Sequence, residues 1–300
     1  MSWGAAAEAV KLARQTDTRQ LAVVGCGAIG ITTAIEAQQA GFEVTIYAKA
    51  QLPQANSAFA TGVWSPDSRI VAKAHGDALA PRWQQMARIS FARYQALLGH
   101  SAKPVEWLPV YNLSSLPFDK ANRHALPGEP DYPHWEAQLL NGLRPADQPL
   151  APGASPFRQP HVRREQLLMF NLSQYGDWLL ARFRAAGGRL LAAELSCEQD
   201  FARLGSQLVI NCTGFGAKAL LGDDALLPVR GQTCRLPPQL AVCYGIRDWD
   251  SGVSAYPRRD GVLVQTQAQG DFGAQHATVD LEESRQAVTQ LAALMAGMRA

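Results

Sequence analysis

Gly25, Gly27 and Gly30 stand in the stretch LAVVGCGAIG, where an apolar run gives way to a helical one. Their G-x-G-x-x-G spacing is the pattern that lets backbone cradle a pyrophosphate. Gly25 permits the tight turn, Gly27 lets backbone come near the phosphates, and Gly30 lets the helix lie close on the strand. The first-turn amides, from Ala28, Ile29 and Gly30, then present unpaired N–H groups and the positive end of the helix dipole to an anion. A second apolar run, ending at Tyr47, completes a βαβ unit. At that end a nicotinamide-binding protein usually carries an acid for the ribose hydroxyls. Here the position holds Lys49, which suits a 2′-phosphate or a solvated surface, so the glycine pattern alone predicts a dinucleotide and leaves its identity open.

The same logic recurs later. Gln207 to Cys212 reads as a short apolar strand and runs directly into Thr213, Gly214 and Gly216. Glycines at the C-terminal end of a sheet strand let backbone approach a ligand. Ser254 and Tyr256 lie on a strand before PRRDG, which reads as a hairpin turn into Gly261 to Thr266. Two residues apart on a strand, they share one face. The elements that position these groups are helical over residues 81–99, 172–186 and 281–298, with a strand over Arg189 to Leu195. An amphipathic helix over the first residues precedes the first strand. Residues 116–157 are rich in Pro, Gly, Asn and Asp and read as irregular.

Bulk properties exclude several classes. The 300 residues are 47% hydrophobic and 18% charged, as expected of a globular protein with a real core. A net charge of +2 with scattered basic residues argues against nucleic acid as a partner. No apolar run approaches the roughly 20 residues of a membrane helix, and the N-terminus lacks a signal-peptide pattern. The five cysteines form no CxxC, so reduced, mostly buried thiols and a cytoplasmic location are expected.

Taken together, GCGAIG, NSAFATGVWSP at Asn56 to Pro66, VINCTGFGAKAL with PVRGQ at Pro228 to Gln232, and AYPRRDG at Ala255 to Gly261 resemble the D-amino-acid oxidase family of FAD flavoproteins. The resemblance runs in order from about Leu21 to Met298. It implies FAD as cofactor and a small amino acid or amine as substrate. The implied reaction passes a hydride from the substrate Cα to flavin N5, followed by imine hydrolysis and reoxidation by dioxygen. It places Gly25, Gly27, Ala28, Ile29 and Gly30 at the pyrophosphate and Lys49 by the adenosine. Asn56 and Ser57 fall near the phosphates and flavin, Gly62, Val63 and Trp64 along the isoalloxazine, and Thr213 and Gly214 on the adenine side. An NADP-linked reductase is the alternative that Lys49 keeps open.

The chain departs from the family on the substrate side. Ser254 stands where the family has a tyrosine that contacts the substrate carboxylate, and Tyr256 is the neighbour able to substitute for it. These two are the candidate catalytic residues, and no metal site is expected. The family's carboxylate-clamping arginine and a glycine-rich turn under the flavin fall beyond residue 300, which leaves an FAD-binding relative without turnover as the alternative reading. Arg247, Arg258, Arg259 and His276 are the candidates for the positive charge. The expected fold is α/β. It combines a Rossmann-like FAD-binding domain, made of residues 1–80, 160–228 and 282–300, with an α+β substrate domain containing an antiparallel sheet, made of residues 81–159 and 229–281. Association of like chains into a homo-oligomer is allowed.

Overall fold

The computed structural model describes residues 1–66, 69–121, 128–266, 271–274 and 278–299; His276 lies outside them. The first half contains α1 (Ser2–Ala13), β1 (Gln20–Cys26), α2 (Ala28–Gln39), β2 (Glu43–Gln51), α3 (Ala80–Gln95) and β3 (Val105–Ser114). Then come α4 (Trp135–Leu139), β4 (Gln148–Pro149), β5 (His161–Phe170), α5 (Leu172–Ala185), β6 (Arg189–Ala192), β7 (Leu208–Asn211) and α6 (Ala217–Leu221). The chain closes with β8 (Cys234–Leu236), β9 (Gly245–Asp248), β10 (Ser254–Arg258), β11 (Gly261–Gln265) and α7 (Leu281–Ala296).

Two sheets result. The first is parallel, in the order β6-β2-β1-β7. Its central strand is a continuous apolar run, Leu21 to Val24, as a strand covered on both faces must be. Leu21 and Val23 meet Ile31 and Ile35 of α2, while Ala22 and Val24 meet Leu204 on the other side. Beside α2 lies α5, tied to it by Gln38, whose amide donates to the carbonyls of Phe183 and Ala186. Phe183 is fully buried, and a Cβ on Gly188 would stand 2.3 Å from its ring. Glycine there lets the chain turn tightly from α5 into β6.

The second sheet follows the order β4-β5-β3-β9-β10-β11-β8. It is antiparallel except between β3 and β9, which run parallel. The hairpin β10–β11 forms as the sequence predicts, with Arg258 opposite Gly261. One face of this sheet, carrying Ala255, Val262 and Val264, packs under Ala287 and Leu291 of α7. The opposite face carries Leu108, Val110, Leu167, Met169 and Tyr256.

Three segment assignments differ from the sequence expectation. The 160–228 segment begins in the second sheet, because β5 pairs along its whole length with β3. The C-terminal helix, expected with the first sheet, packs on the second, because its apolar stripe meets the outer side of β11 and β8. Conversely α3, expected with the second sheet, lies against α1, with Phe91 and Tyr94 joining the core of the first sheet. Apolar periodicity reports that a helix has a buried face but not which sheet it covers.

Replacing Phe183 by alanine should therefore cost about 3–5 kcal/mol. Urea unfolding should show a lower midpoint with an unchanged slope; an unmoved midpoint would contradict the burial described.

Candidate functional site

The turn from β1 into α2 has the shape its glycines predict. Gly25 has φ +107°, and a Cβ there would stand 2.4 Å from the carbonyl oxygen of Cys212. A Cβ on Gly30 would stand 2.0 Å from the oxygen of Gly25, so helix and turn touch through backbone. Gly27 is the N-cap of α2. The amides of Ile29 and Gly30 fall in the first turn, where helix geometry gives them no intrahelical acceptor. Ala28 N–H donates to the Ser57 hydroxyl at 2.9 Å. Ser57 and Asn56 belong to a single 3₁₀ turn after β2, so the sequence-predicted hydroxyl group does reach the helix terminus.

Beyond that turn the chain threads between the sheets. Gly62 has φ +84° and sits against the Phe170 carbonyl and the Arg258 side chain. Val63 bridges to Met169, and Trp64 N–H donates to the Leu168 carbonyl at 2.8 Å. The Trp64 ring points into the core, 5.0 Å from Phe91, and its indole N–H has no hydrogen-bond partner among the described residues. Of Trp64 only the backbone is thus left to line a ligand. Thr213 follows β7, its amide and hydroxyl both held by the Asn211 side-chain oxygen. Gly214 has φ +57° and open space where a Cβ would stand. Asn56 and Gly214 line a cleft of about 750 Å³ whose other wall is Pro228 to Thr233. Lys49, at the end of β2, pairs with Glu194 at 3.3 Å on the surface.

PVRGQ is clamped to the start of α7. Arg230 pairs with Asp271 at 3.1 Å and Glu283 at 2.6 Å, and the Gln232 amide donates to the Ser284 hydroxyl. The same segment borders a second cavity of about 430 Å³, lined also by Ser254, Gln265 and Thr266. Ser254 is therefore at a cavity wall. Tyr256 is buried on the same strand, where its hydroxyl accepts from Arg247 Nε at 2.5 Å. Arg247 Nη1 donates to Glu165 at 3.0 Å. Burial alone would lower the Arg247 pKa, but Tyr256 and Glu165 outweigh it and hold the pKa above the ordinary value.

Two of the candidate cations are consumed internally. Arg258 is bound at both ends of its fork to Asp260 and gives Nη1 to the carbonyls of Ala58 and Ala60. Arg259 pairs with Glu106. Glu165, Asn112 and Arg144 belong to no motif; the one signal in the sequence is a carboxylate set in the half-apolar strand run HVRREQLLMF.

The cradle fits a dinucleotide: backbone amides at a helix terminus, glycines that admit close approach, and an open cleft beside Gly214. With that geometry established, the chain's relatives are informative. A family model described as FAD dependent oxidoreductase matches residues 20–300. A D-amino-acid oxidase of Streptomyces coelicolor is 28% identical over 84% of this chain and 71% of its own length. A human D-aspartate oxidase is 27% identical over 93% of this chain and 76% of its own. Among solved structures, the iminodiacetate oxidase of Chelativorans sp. BNC1 superposes with a TM-score of 0.64 at 14% identity, covering 92% of this chain and 79% of that one. Glycine oxidase from Geobacillus kaustophilus gives 0.61 at 15%, over 92% and 78%.

Thiol chemistry tests the turn. Burial pushes both Cys26, beside Gly25, and Cys212 up to about 11, whereas Cys197 and Cys243 are exposed. A thiol reacts as thiolate, so near pH 8 the raised pKa alone should slow Cys26 and Cys212 about a hundredfold. Labelling followed by mass analysis should find Cys197 and Cys243 modified first; early modification of Cys26 would show that the turn opens.

Proposed function

We propose that this chain, which belongs to the FAD-dependent oxidoreductase family, oxidises a carboxylate-bearing amino acid or related amine. The observation that carries the proposal is the glycine cradle at α2, joined to a Gly62–Trp64 backbone segment gripped between the two sheets. The relatives support it. Those named for amino acids, iminodiacetate or glycine share one chemical element, a carboxylate near an amine nitrogen.

In this reading Gly25, Gly27, Ala28, Ile29 and Gly30 hold the pyrophosphate, with Asn56 and Ser57 beside it. Lys49, with Glu194, closes the adenosine end, and Thr213 and Gly214 border the adenine. The backbone from Gly62 to Trp64 runs beside the ring system. Bound FAD supplies the two-electron acceptor for oxidation at the carbon–nitrogen bond. The second sheet supplies the substrate side, where Ser254 offers a hydroxyl at a cavity wall and Tyr256 an oriented phenol. Dioxygen is the proposed final acceptor. Among the described residues no helix is long and apolar enough to cross a membrane.

The purified protein should carry flavin absorbance, and anaerobic addition of an amino acid or amine from a panel of both enantiomers should bleach it. A protein that takes up no FAD would refute the reading. Gly27→Ala gives a graded test. Its Cβ would meet only the Ser57 hydroxyl, at 2.9 Å, which can swing aside. The fold should survive while FAD affinity falls about tenfold or more, roughly 1.4 kcal/mol, read by flavin fluorescence titration.

A further inference from the structure

Beside the dinucleotide cleft lies the cavity of about 430 Å³ that Ser254 borders. Val229, Arg230 and Gly231 belong to the walls of both, so one stretch of backbone divides them. On the wall of the smaller cavity, Ser254 of β10 stands opposite Gln265 of β11 in the hairpin ladder. Side chains alternate along a strand. Both therefore lie on the face turned away from α7, which packs on Ala255, Val262 and Val264. The Gln265 carboxamide reaches the dividing stretch: a Cβ on Gly231 would stand 3.6 Å from its nitrogen. Thr266 follows on the same wall, its hydroxyl 4.0 Å from where a Cβ on Gly252 would stand.

The polar groups of this wall divide into spent and unspent. Arg230 gives Nε to Asp271, Nη2 to Glu283 and Nη1 to the Thr278 carbonyl. Among the described residues, by contrast, the Gln265 carboxamide and the Thr266 hydroxyl make no hydrogen bond. The Ser254 hydroxyl makes one long one, 3.5 Å, to the Gln265 carbonyl. The unspent groups are thus neutral, and they both donate and accept. The formal charges cancel, Arg69 and Arg230 against Asp271 at the wall and Glu283 behind it. An ion entering the cavity would lose hydration with no net charge to compensate it. An apolar group would leave the amide and the hydroxyls unpaired.

We propose that this cavity receives the substrate's side chain and selects one that ends in a carboxamide, with Gln265 as the specificity-determining residue and Ser254 and Thr266 beside it. A carboxamide on the ligand meets the one on β11 donor to acceptor and acceptor to donor, a pairing that neither a carboxylate nor a methyl group can reproduce. A site built to hydrogen-bond its substrate rejects the analogue that lacks the partner group. The inference rests on the proposed amine-oxidising function only for taking an amino acid as the carrier of that group.

Asparagine, aspartate and leucine carry side chains of nearly one shape that differ in this property alone. Each, in both enantiomers, is titrated into the full chain by calorimetry, with and without FAD. One enantiomer of asparagine should bind about tenfold or more tightly than leucine or aspartate of the same hand. Gln265→Leu, which breaks no hydrogen bond of the fold, should remove that margin, and Gln265→Asn should keep part of it. A merely structural role for residue 265 would weaken all three ligands alike. The inference falls if leucine or aspartate binds as tightly as asparagine, if asparagine does not bind in either form, or if the margin survives in Gln265→Leu. Flavin content and anaerobic bleaching on the same samples decide the function separately. A chain that bleaches without preferring asparagine refutes only the selection, and one that takes no FAD refutes the flavin function while the calorimetry still decides the cavity.

Discussion

The guanidinium of Arg258 ties the second sheet to the loop that follows β2. Its side chain is 1% exposed, and its Nε and both terminal nitrogens are engaged: two bonds go to Asp260 within the hairpin and the others cross to the backbone carbonyls of Ala58 and Ala60. A buried guanidinium with no acceptor would be intolerable, so the loop carrying Ala58 and Ala60 must come to the hairpin. That loop begins with Asn56 and Ser57 at the α2 terminus and continues into Gly62 to Trp64. This charged group, together with the backbone bonds of Gly62 and Trp64 to β5, sets the distance between the β1–α2 turn and the face that carries Tyr256. Gly62 lies so close that a Cβ would stand 3.0 Å from Arg258 Cδ. The two sheets are held in register through this loop rather than by a continuous sheet.

The second sheet is asymmetric in a way its strands do not advertise. Under α7 its face is apolar, aliphatic residues joined by Phe157, Tyr111 and Tyr244. On the opposite face, aliphatic residues near Met169 give way, along β5, β3 and β9, to Glu165, Asn112 and Arg247. An apolar face can be repacked with small loss if volume is kept. The charged one tolerates no single deletion, since removing one partner leaves the other buried and unpaired. Sequence drift at the two faces should be constrained for different reasons, volume on one and charge balance on the other.

What could be read from the chain follows the range of the forces involved. The β1–α2 turn was legible because glycine spacing, apolar run and helix onset all lie within ten residues and point to one geometry. The β10–β11 hairpin was legible for the same reason. The family resemblance added the order of distant segments, and the FAD-dependent family is borne out. The docking of α3 and α7 was not legible, because an amphipathic stripe has no address. Nor was the Glu165–Arg247 pair, whose members stand 82 residues apart and meet only because β3 lies between β5 and β9. Arg258 and Arg259 read as surface residues or substrate contacts; the structure shows that one of them is buried and both are paired.

The interleaving of the two sheets also sets an order of assembly. β1 and β2 can pair as soon as residue 51 is made, but β1 keeps a bare edge until β7 arrives beyond residue 208. The β3–β5 ribbon, closed over some fifty residues, likewise waits for β9 beyond residue 245 to cover its edge. During synthesis from the N-terminus two strand edges are thus open at once between the completion of β5 at Phe170 and the arrival of β7 at Leu208. Pairing across such separations is slow, and open edges in that interval invite association with other chains. The parallel β3–β9 contact, a minor item of topology in the finished molecule, is in the nascent chain the step that ends one of those two exposures.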